Sequence, residues 1–158
     1  MQKTPPDILI TNIAMLNGML SREVEEPIWD QTRAWLMSDP DSYFYLVIDE
    51  LHLMRGSSGT EVCYLLRALV HRLGLSHPDH RHKLRILASS ASLPTTGLDE
   101  SKSIDYLWDM FGKNGLFKNS GNAGSRIDRN QWKEAIVSGS EMPRIVEGSS
   151  NFDPKKII

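Results

Sequence analysis

An apolar run that ends in two adjacent acids limits what this 158-residue chain can fold into. Residues 43–48 form a nearly continuous series of aromatic and β-branched side chains. That pattern is typical of a strand covered on both faces in a parallel sheet. Asp49 and Glu50 follow at its carboxyl end, where open parallel sheets bind their ligands. The run therefore predicts an α/β fold with an acidic site at one edge of the sheet.

A helix and a second strand follow the acidic pair. Residues 62–73 carry apolar side chains at helical spacing, Gly74 is a natural end for that helix, and Thr60 is its expected N-cap. The next apolar run, at 84–88, ends in hydroxyl residues at 89–92. Strand, helix and strand in succession predict a crossover unit with parallel strands. The two strands would then end at the same edge of the sheet.

Asp49 and Glu50 suit the chemistry of nucleotide hydrolysis. An Asp at a strand end can hold hydrated Mg²⁺, which keeps several waters and bridges to substrate phosphates. A neighbouring Glu can orient or deprotonate the attacking water. The alternative is a solvated strand end without chemistry, which is the favoured interpretation of the dipeptide alone. The motifs around it shift the balance toward hydrolysis.

Three sequence motifs in one order resemble superfamily 2 helicases of the DEAD/DEAH class. Asp-Glu-Leu-His at 49–52 resembles motif II, and Ser-Ala-Ser at 90–92 resembles motif III with Ser in place of the usual final Thr. Residues 6–16 resemble the stretch in which a strand leads into a helix that grips the tracking nucleic-acid strand. The wider pattern Asp-Glu-Leu-His-x-x-Arg-Gly-x-x-Gly-x-Glu-Val, at 49–62, is similar to a bacterial subgroup of DNA helicases. The resemblance covers roughly residues 5–96.

The resemblance implies a role for each matched residue around ATP. Asp49 would hold Mg²⁺ through water, and Glu50 would be the base for the water that attacks the γ-phosphate. His52 would sense the nucleotide and pass its state to a second motor domain. Ser90 and Ser92 would hydrogen-bond toward the acidic motif and link hydrolysis to strand movement. ATP and Mg²⁺ are therefore the expected cofactors.

Nucleic acid is the partner that the resemblance implies, with DNA favoured over RNA. Thr11 and Asn12 would lie at a helix N-terminus, where backbone N–H groups can hold a phosphate. The formal net charge of −2 is weak contrary evidence, because nucleic-acid modules usually carry a basic face. A two-domain motor can still bind through local backbone and hydroxyl contacts.

The phosphate-binding loop of such enzymes is missing from the sequence. No Gly-x-x-x-x-Gly-Lys-Ser/Thr occurs, nor does an arginine-rich motif VI. We therefore predict that residues 1–148 are the C-terminal portion of a first RecA-like P-loop NTPase domain, lacking Walker A, with residues 149–158 as linker or tail. The fold would be an incomplete parallel sheet flanked by helices. The expected function is a fragment of an ATP-dependent DNA helicase or translocase, inactive in isolation.

The alternative function is a non-catalytic remnant that binds nucleic acid or another protein. Expected partners are the remaining helicase domains or a companion chain, and an exposed sheet edge could also support an oligomer. No signal peptide or membrane span is visible in the sequence, so we expect a cytoplasmic protein. The single cysteine, Cys63, argues against a disulfide framework and is expected to pack on its helix.

Two further groups of residues allow more than one interpretation. The basic residues between 71 and 85 allow three interpretations. A solvated loop is preferred, and a phosphate-contacting patch comes second. A zinc site from His77, His80 and His82 ranks last, because structural zinc sites need four ligands. Trp29 and Trp35 could stack on bases, although core packing is the preferred interpretation. Beyond residue 96, the pattern predicts a helix capped by Asp99, a loop at 118–125, and one more helix or strand within 126–146.

Overall fold

A computed structural model describes residues 4–112 and 128–137 of the chain. In these residues the order of elements is α1 (Ile13–Ser21), α2 (Glu26–Ser38), β1 (Phe44–Ile48), α3 (Gly56–Arg72), β2 (Leu84–Ala88) and α4 (Glu100–Phe111). Short 3₁₀ turns lie at Glu23–Glu25, Leu51–Leu53, Arg81–Lys83, Gly97–Asp99 and Arg129–Lys133. The predicted loop at 118–125 and the predicted tail at 149–158 lie outside the described residues.

The two strands pair in parallel, as their apolar patterns predict. Phe44 lies opposite Leu84, and Ile48 lies opposite Ala88. Both strands therefore end at the same edge of the sheet, with the acidic pair and the hydroxyl-rich segment directly beyond them. This mixture of helices around a two-stranded parallel sheet is compatible with the predicted α/β class.

Among residues 4–112 and 128–137, the elements cover one face of the sheet only, so the prediction of a strand buried on both faces is wrong. Phe44 and Leu46 pack against the core on one side. On the other side Tyr45, Val47 and Leu87 are 59%, 70% and 54% exposed. The alternation follows from the period of two along a strand, because neighbouring side chains point to opposite faces.

Helix α3 connects two apolar clusters and is the central element of the core. Leu65 and Leu69 belong to the first cluster, which α1 and α2 cover, whereas Val62 and Leu66 belong to the second, which α4 covers. The first cluster comprises Leu16, Met19, Ile28, Trp29, Leu36, Leu65, Leu69, Val70, Leu73, Leu75 and Leu84. The second comprises Ile48, Leu51, Val62, Leu66, Ile104, Leu107, Met110, Phe111 and Trp132. The second cluster is thus the one that supports the acidic end of β1.

Two predicted boundaries differ from the structure. Helix α3 begins at Gly56, four residues before the predicted cap Thr60, because Gly56 adopts the left-handed φ of +66° that turns the chain into the helix. The strand implied before Thr11 is not formed, and Ile8 and Ile10 are 80% and 93% exposed. An isolated apolar stretch forms no strand without a neighbouring strand to accept its backbone hydrogen bonds.

The aromatic and C-terminal predictions are confirmed in part. Trp29 is buried and its Nε1 donates to Met19 O at 3.2 Å, but Trp35 is 47% exposed. Asp99 is the residue before α4, as predicted, although its side chain accepts from Lys102 and does not cap the helix. Of the region 126–146, only 128–137 is described, and it forms the turn at Arg129–Lys133.

A buried lysine, Lys83, closes the end of the sheet opposite the acidic pair. Its Nζ donates to Leu36 O at 2.7 Å, to Ser42 Oγ at 3.1 Å and to the Asp39 carbonyl, while only 5% of the residue is exposed. Leu36 and Asp39 lie at the C-terminal end of α2, where carbonyl groups lack helical partners and a cation is favoured. The sequence placed Lys83 in a solvated basic loop, which is wrong for this residue.

Candidate active site at the carboxyl ends of the strands

Ser89, the first residue after β2, makes hydrogen bonds to four consecutive residues around the end of β1. Its N–H donates to Ile48 O at 2.9 Å, and its carbonyl accepts from Leu51 N at 2.8 Å. Its hydroxyl contacts Asp49 Oδ1 and lies 3.1 Å from Glu50 N. The parallel register causes this arrangement, because pairing of Ile48 with Ala88 places the next residue of each strand side by side.

Both acids are exposed to solvent, but their backbones are held tightly. Glu50 adopts a φ of +52°, the one positive φ at a non-glycine residue within 4–112 and 128–137. Residues with a Cβ rarely adopt this conformation, and it costs about 1–2 kcal/mol. The Glu50 N–H also lies 3.0 Å from Asp49 Oδ1, so Asp49 Oδ1 and Ser89 Oγ share this donor. A strained, over-determined residue of this kind is typical of functional sites.

His52 lies between the acidic pair and the segment after β2. Its Nδ1 is 3.1 Å from Glu50 Oε2 and 3.4 Å from Ala91 N. A protonated Nδ1 can donate to Glu50, whereas an unprotonated Nδ1 can accept from the Ala91 N–H. The same nitrogen cannot make both hydrogen bonds at once, so the proton on His52 decides which contact forms.

The Arg-Gly-x-x-Gly part of the sequence pattern ties the acidic loop to its surroundings. Arg55 Nη2 donates to Ser92 O at 3.2 Å, which joins the two segments after the strands. A Cβ on Gly59 would lie 2.5 Å from Met54 O, so only glycine lets the loop pass this close to α3. Together with the positive φ of Gly56, these contacts give the motif a structural reason.

Tyr106, on α4, can donate a hydrogen bond to the 3₁₀ turn that follows the acids. Its hydroxyl lies 2.8 Å from Leu51 O and 2.9 Å from Met54 O, and its single proton serves one carbonyl at a time. The Arg55 guanidinium lies over its ring, 5.9 Å from the centroid. Burial raises the pKa of the Tyr106 phenol, so the hydroxyl stays protonated and able to donate.

Within residues 4–112 and 128–137, no side-chain hydrogen bond joins Ser90 or Ser92 to Asp49 or Glu50. Ser90 Oγ is buried and has no hydrogen-bond partner among the residues that the structure describes. Ser92 is reached through its carbonyl, which accepts from Arg55. The strand register explains this arrangement, because it places Ser89 opposite Asp49 and moves the Ser-Ala-Ser motif past the acids.

Thr11 and Asn12 lie at the start of α1, as predicted, and both are exposed. Asn12 Oδ1 accepts from Met15 N at 2.8 Å and so caps the helix itself. Helix α1 packs through Leu16 and Met19 into the first cluster, whereas the acidic end of β1 rests on the second. Across residues 4–112 and 128–137, no hydrogen bond or ion pair between side chains brings Thr11 or Asn12 to the acids.

The chain is similar to Druantia protein DruE of Escherichia coli (strain UMEA 4076-1). The two are 43% identical over 93 residues, which is 59% of this chain and 5% of DruE. The chain thus spans about a twentieth of the length of that curated relative. No family model and no solved structure matches the chain. The similarity therefore relates 93 residues of this chain to a part of DruE.

The donors at this site fit a metal ion bound through water better than one bound directly. Asp49 is a single exposed carboxylate, and the hydrogen bonds recorded for it in the described residues fall on Oδ1. Its second oxygen, Oδ2, is the atom that would accept from a metal-bound water. No group of three His, Cys, Asp or Glu side chains close enough to enclose a metal ion exists within 4–112 and 128–137.

A cleft of about 600 Å³ lies beside the acidic loop, between α3 and α4. Arg55, Cys63, Lys102 and Tyr106 are among the residues that line it. Cys63 is partly buried, its Sγ lies 3.3 Å from Met110 Sδ, and burial raises the pKa of its thiol. The expected packing role of Cys63 is confirmed. In the part of the chain that the structure describes, no helix is long and apolar enough to cross a membrane.

Ser89 and Tyr106 are the site residues that sequence reasoning missed. Ser89 directly precedes the Ser-Ala-Ser motif, so counting from the motif passes over it. No sequence signal selects Ser89, because the serine that meets Asp49 depends on the register of the two strands, which the structure shows. Tyr106 lies on α4, outside the stretch that resembles helicases, and no sequence signal identifies it.

Proposed function

We propose that this chain forms part of the first motor domain of an ATP-dependent helicase or translocase, with a RecA-like fold. The parallel pairing of β1 and β2 is the observation that carries the proposal. It brings the Asp49–Glu50 pair and the hydroxyl-rich segment after β2 to one edge of the sheet, where α/β proteins bind ligands. The helicase-type sequence pattern at 49–62 and the similarity to a segment of DruE also support this proposal.

In the proposed reaction, the two acids divide the work. Asp49 would accept hydrogen bonds from metal-bound water, and Mg²⁺, when bound, would supply positive charge to stabilise the phosphate oxygens. Glu50 orients the attacking water and accepts its proton, which exposure to solvent and a fixed backbone allow. ATP would be held by a phosphate loop on a companion chain or a remaining helicase domain. Ser90 and Ser92 are proposed to lie near the nucleotide and to link its hydrolysis to strand movement.

Coupling to a second motor domain is proposed to run through His52. Its Nδ1 can exchange the Glu50 carboxylate for the Ala91 N–H, so a change at Glu50 alters the segment after β2. Arg55 adds a second link, from the acidic loop to Ser92 O. These two contacts give hydrolysis a physical route to the neighbouring segment.

Nucleic acid, with DNA favoured, is the proposed partner of Thr11 and Asn12. Both are exposed at the N-terminus of α1, where the helix dipole favours a phosphate. The side chain of Asn12 already accepts from the Met15 N–H at the start of the helix. The hydroxyl of Thr11 and the remaining N–H groups would therefore contact the phosphate. Replacing Asn12 by Ala would remove the cap and so destabilise the helix end that presents these N–H groups to a phosphate.

A titration of the 158-residue chain with Mn²⁺, followed by NMR, tests the metal site. Mn²⁺ broadens amide signals near its binding site even when affinity is low. We expect selective broadening at residues 49, 50 and 89, which is lost in Asp49→Asn and retained in Glu61→Gln. Glu61 is a matched control because it is an exposed acid on α3. Equal broadening in wild type and Asp49→Asn would remove Asp49 from its proposed role.

A second function, a protein-interaction module without catalysis, is favoured by the uncovered face of the sheet. Tyr45, Val47 and Leu87 expose apolar area there, and parallel sheets normally have both faces covered. A remnant that binds a partner through this face would not need the acidic pair. Normal function after Glu50→Gln, with loss of function after Val47→Asp, would support this alternative.

A further inference from the structure

We propose that Ser89 is the positioning residue that sets the geometry of both acids. This inference rests on the proposed function, in which Asp49 holds metal-bound water and Glu50 activates water. It differs from the sequence pattern, which points to Ser90 and Ser92. Ser89 touches neither nucleotide nor metal in this proposal, and it acts through the two acids.

The hydrogen-bond directions at Ser89 Oγ follow from its neighbours. An ionised Asp49 carboxylate can only accept, so the Ser89 hydroxyl donates its proton to Asp49 Oδ1. The Glu50 N–H can only donate, so Ser89 Oγ accepts from it at 3.1 Å. One hydroxyl can make both bonds, because it has one proton and two lone pairs.

This pair of bonds fixes the conformation in which Glu50 can work. Glu50 N points back toward Ser89 and Asp49 Oδ1 while its φ is +52°. Without an acceptor on Ser89, Glu50 loses one of the two hydrogen bonds that hold its backbone in a conformation that residues with a Cβ rarely adopt. The Glu50 carboxylate would then leave its set position.

The same hydroxyl decides which oxygen of Asp49 remains for a ligand. Ser89 and the Glu50 N–H both donate to Oδ1, so in the described residues these two hydrogen bonds leave Oδ2 available to a ligand. The main-chain bonds of Ser89 to Ile48 and Leu51 keep the hydroxyl in place. Replacing Ser89 by Ala would retain the main-chain bonds and so isolate the contribution of the hydroxyl.

The test measures solvent exchange of the Glu50 amide by NMR in the 158-residue chain. We expect Ser89→Ala to accelerate exchange about five- to tenfold, the effect of losing one ordinary hydrogen bond while Asp49 Oδ1 remains. Ser89→Thr keeps the hydroxyl and should remain within about twofold of wild type. Ser90→Ala makes the same chemical change one residue away, at an oxygen without a partner in the described residues, and should leave the rate unchanged.

An unchanged Glu50 exchange rate in Ser89→Ala would overturn the proposal, as would equal acceleration in Ser89→Thr. If Ser89→Ala does not fold, the wild-type chain still provides a test. Its one-bond Cα–Hα coupling and short-range NOE pattern report whether Glu50 is left-handed, and an extended or right-handed Glu50 would contradict the proposal.

Repeating the Mn²⁺ titration on the same variants separates this inference from the proposed function. We expect broadening at Glu50 to weaken about threefold or more in Ser89→Ala and to return in Ser89→Thr, since Asp49 loses its fixed orientation. Unchanged broadening in Ser89→Ala would contradict the positioning role. No broadening in the wild type would instead contradict the metal site, while the amide-exchange result still decides whether Ser89 sets the geometry.

Discussion

The two ends of the small parallel sheet are built for different purposes. At the end where β2 begins, Lys83 is buried and its ammonium is surrounded by acceptors from α2 and Ser42. At the end where both strands finish, two carboxylates are exposed, and Glu50 is held at a positive φ. A closed, satisfied polar group favours stability, whereas exposed acids on a strained backbone are typical of a site that binds and reacts.

The difference teaches where substitutions should change stability and where they should change function. Removing the Lys83 ammonium takes a charged donor away from Leu36 O, Asp39 O and Ser42 Oγ inside the protein. Removing a group from the acidic end leaves atoms that water can reach. The substitutions below compare the two ends, beginning with the largest expected change in unfolding free energy.

Lys83→Met should lower the free energy of unfolding by about 2–4 kcal/mol. The methionine fills most of the volume but cannot donate to Leu36 O, Asp39 O and Ser42 Oγ. Ser42 still donates to both carbonyls, so the cost comes from losing hydrogen bonds to a charged group, which contribute about 1.5–3 kcal/mol each. Chemical denaturation followed by circular dichroism measures the change. Lys102→Met is the control, since Lys102 is exposed and its ion pair with Asp99 is screened by solvent and contributes little. Equal effects of the two substitutions would contradict the proposed difference between the ends.

Gly59→Ala should cost about 1–3 kcal/mol, because its Cβ would lie 2.5 Å from Met54 O and force the acidic loop away from α3. Gly18→Ala provides a matched control in α1. The nearest atom to a Cβ at Gly18 is the Arg22 side chain at 3.6 Å, so this change should stabilise the protein by about 0.5–1 kcal/mol. Thermal denaturation of both variants gives the comparison. Stabilisation by Gly59→Ala would show that the loop does not need its close contact with α3.

Glu50→Gly should stabilise the chain by up to about 1 kcal/mol, because glycine adopts a φ of +52° without a steric penalty. The gain would accompany loss of the proposed base, which is the expected trade of stability against activity. Glu50→Gln keeps the strain and should leave stability within about 0.5 kcal/mol of wild type. A loss of more than about 1 kcal/mol in Glu50→Gly would indicate that the acid supports the fold.

Cys63 should show the smallest effect, a shift in the pH dependence of its alkylation. Burial raises the pKa of the thiol, so less thiolate is present near pH 8 and the reaction should be slower than in the urea-unfolded chain. The raised pKa also contributes stability that is complete below the pKa of the unfolded thiol and is lost as pH rises through the folded value. Alkylation rates measured between pH 7 and pH 10 test both statements. Equal rates in folded and unfolded chains would place the thiol in solvent.

Sequence periodicity was sufficient to predict β1, α3 and β2, because apolar side chains recur at spacings that only one kind of element can bury on one face. It could not show that Tyr45 and Val47 are exposed, since coverage of a sheet face depends on elements far away in the chain. The burial of Lys83 was hidden for a similar reason, because its acceptors lie more than 40 residues earlier.

The sequence predicted where in the fold the site lies, but it did not predict which side chains contact each other there. Asp49 and Glu50 follow an apolar run, and this fixed the edge at which they lie. Which serine meets Asp49 depends on a register shift of a single residue, and only the pairing of Ile48 with Ala88 selects Ser89. Sequence resemblance identified the motif, whereas the pairing of the two strands determines which serine contacts Asp49.

ATP turnover by a protein that carries this segment in frame with a phosphate-binding loop tests the central claim most directly. With Glu50→Gln, we predict that ATP binding stays within about threefold of wild type while turnover falls about 10²- to 10⁴-fold, since glutamine fills the same space but cannot accept the proton. Glu61→Gln should leave both quantities unchanged. Unchanged turnover in Glu50→Gln would show that the acidic end of β1 is not the catalytic site.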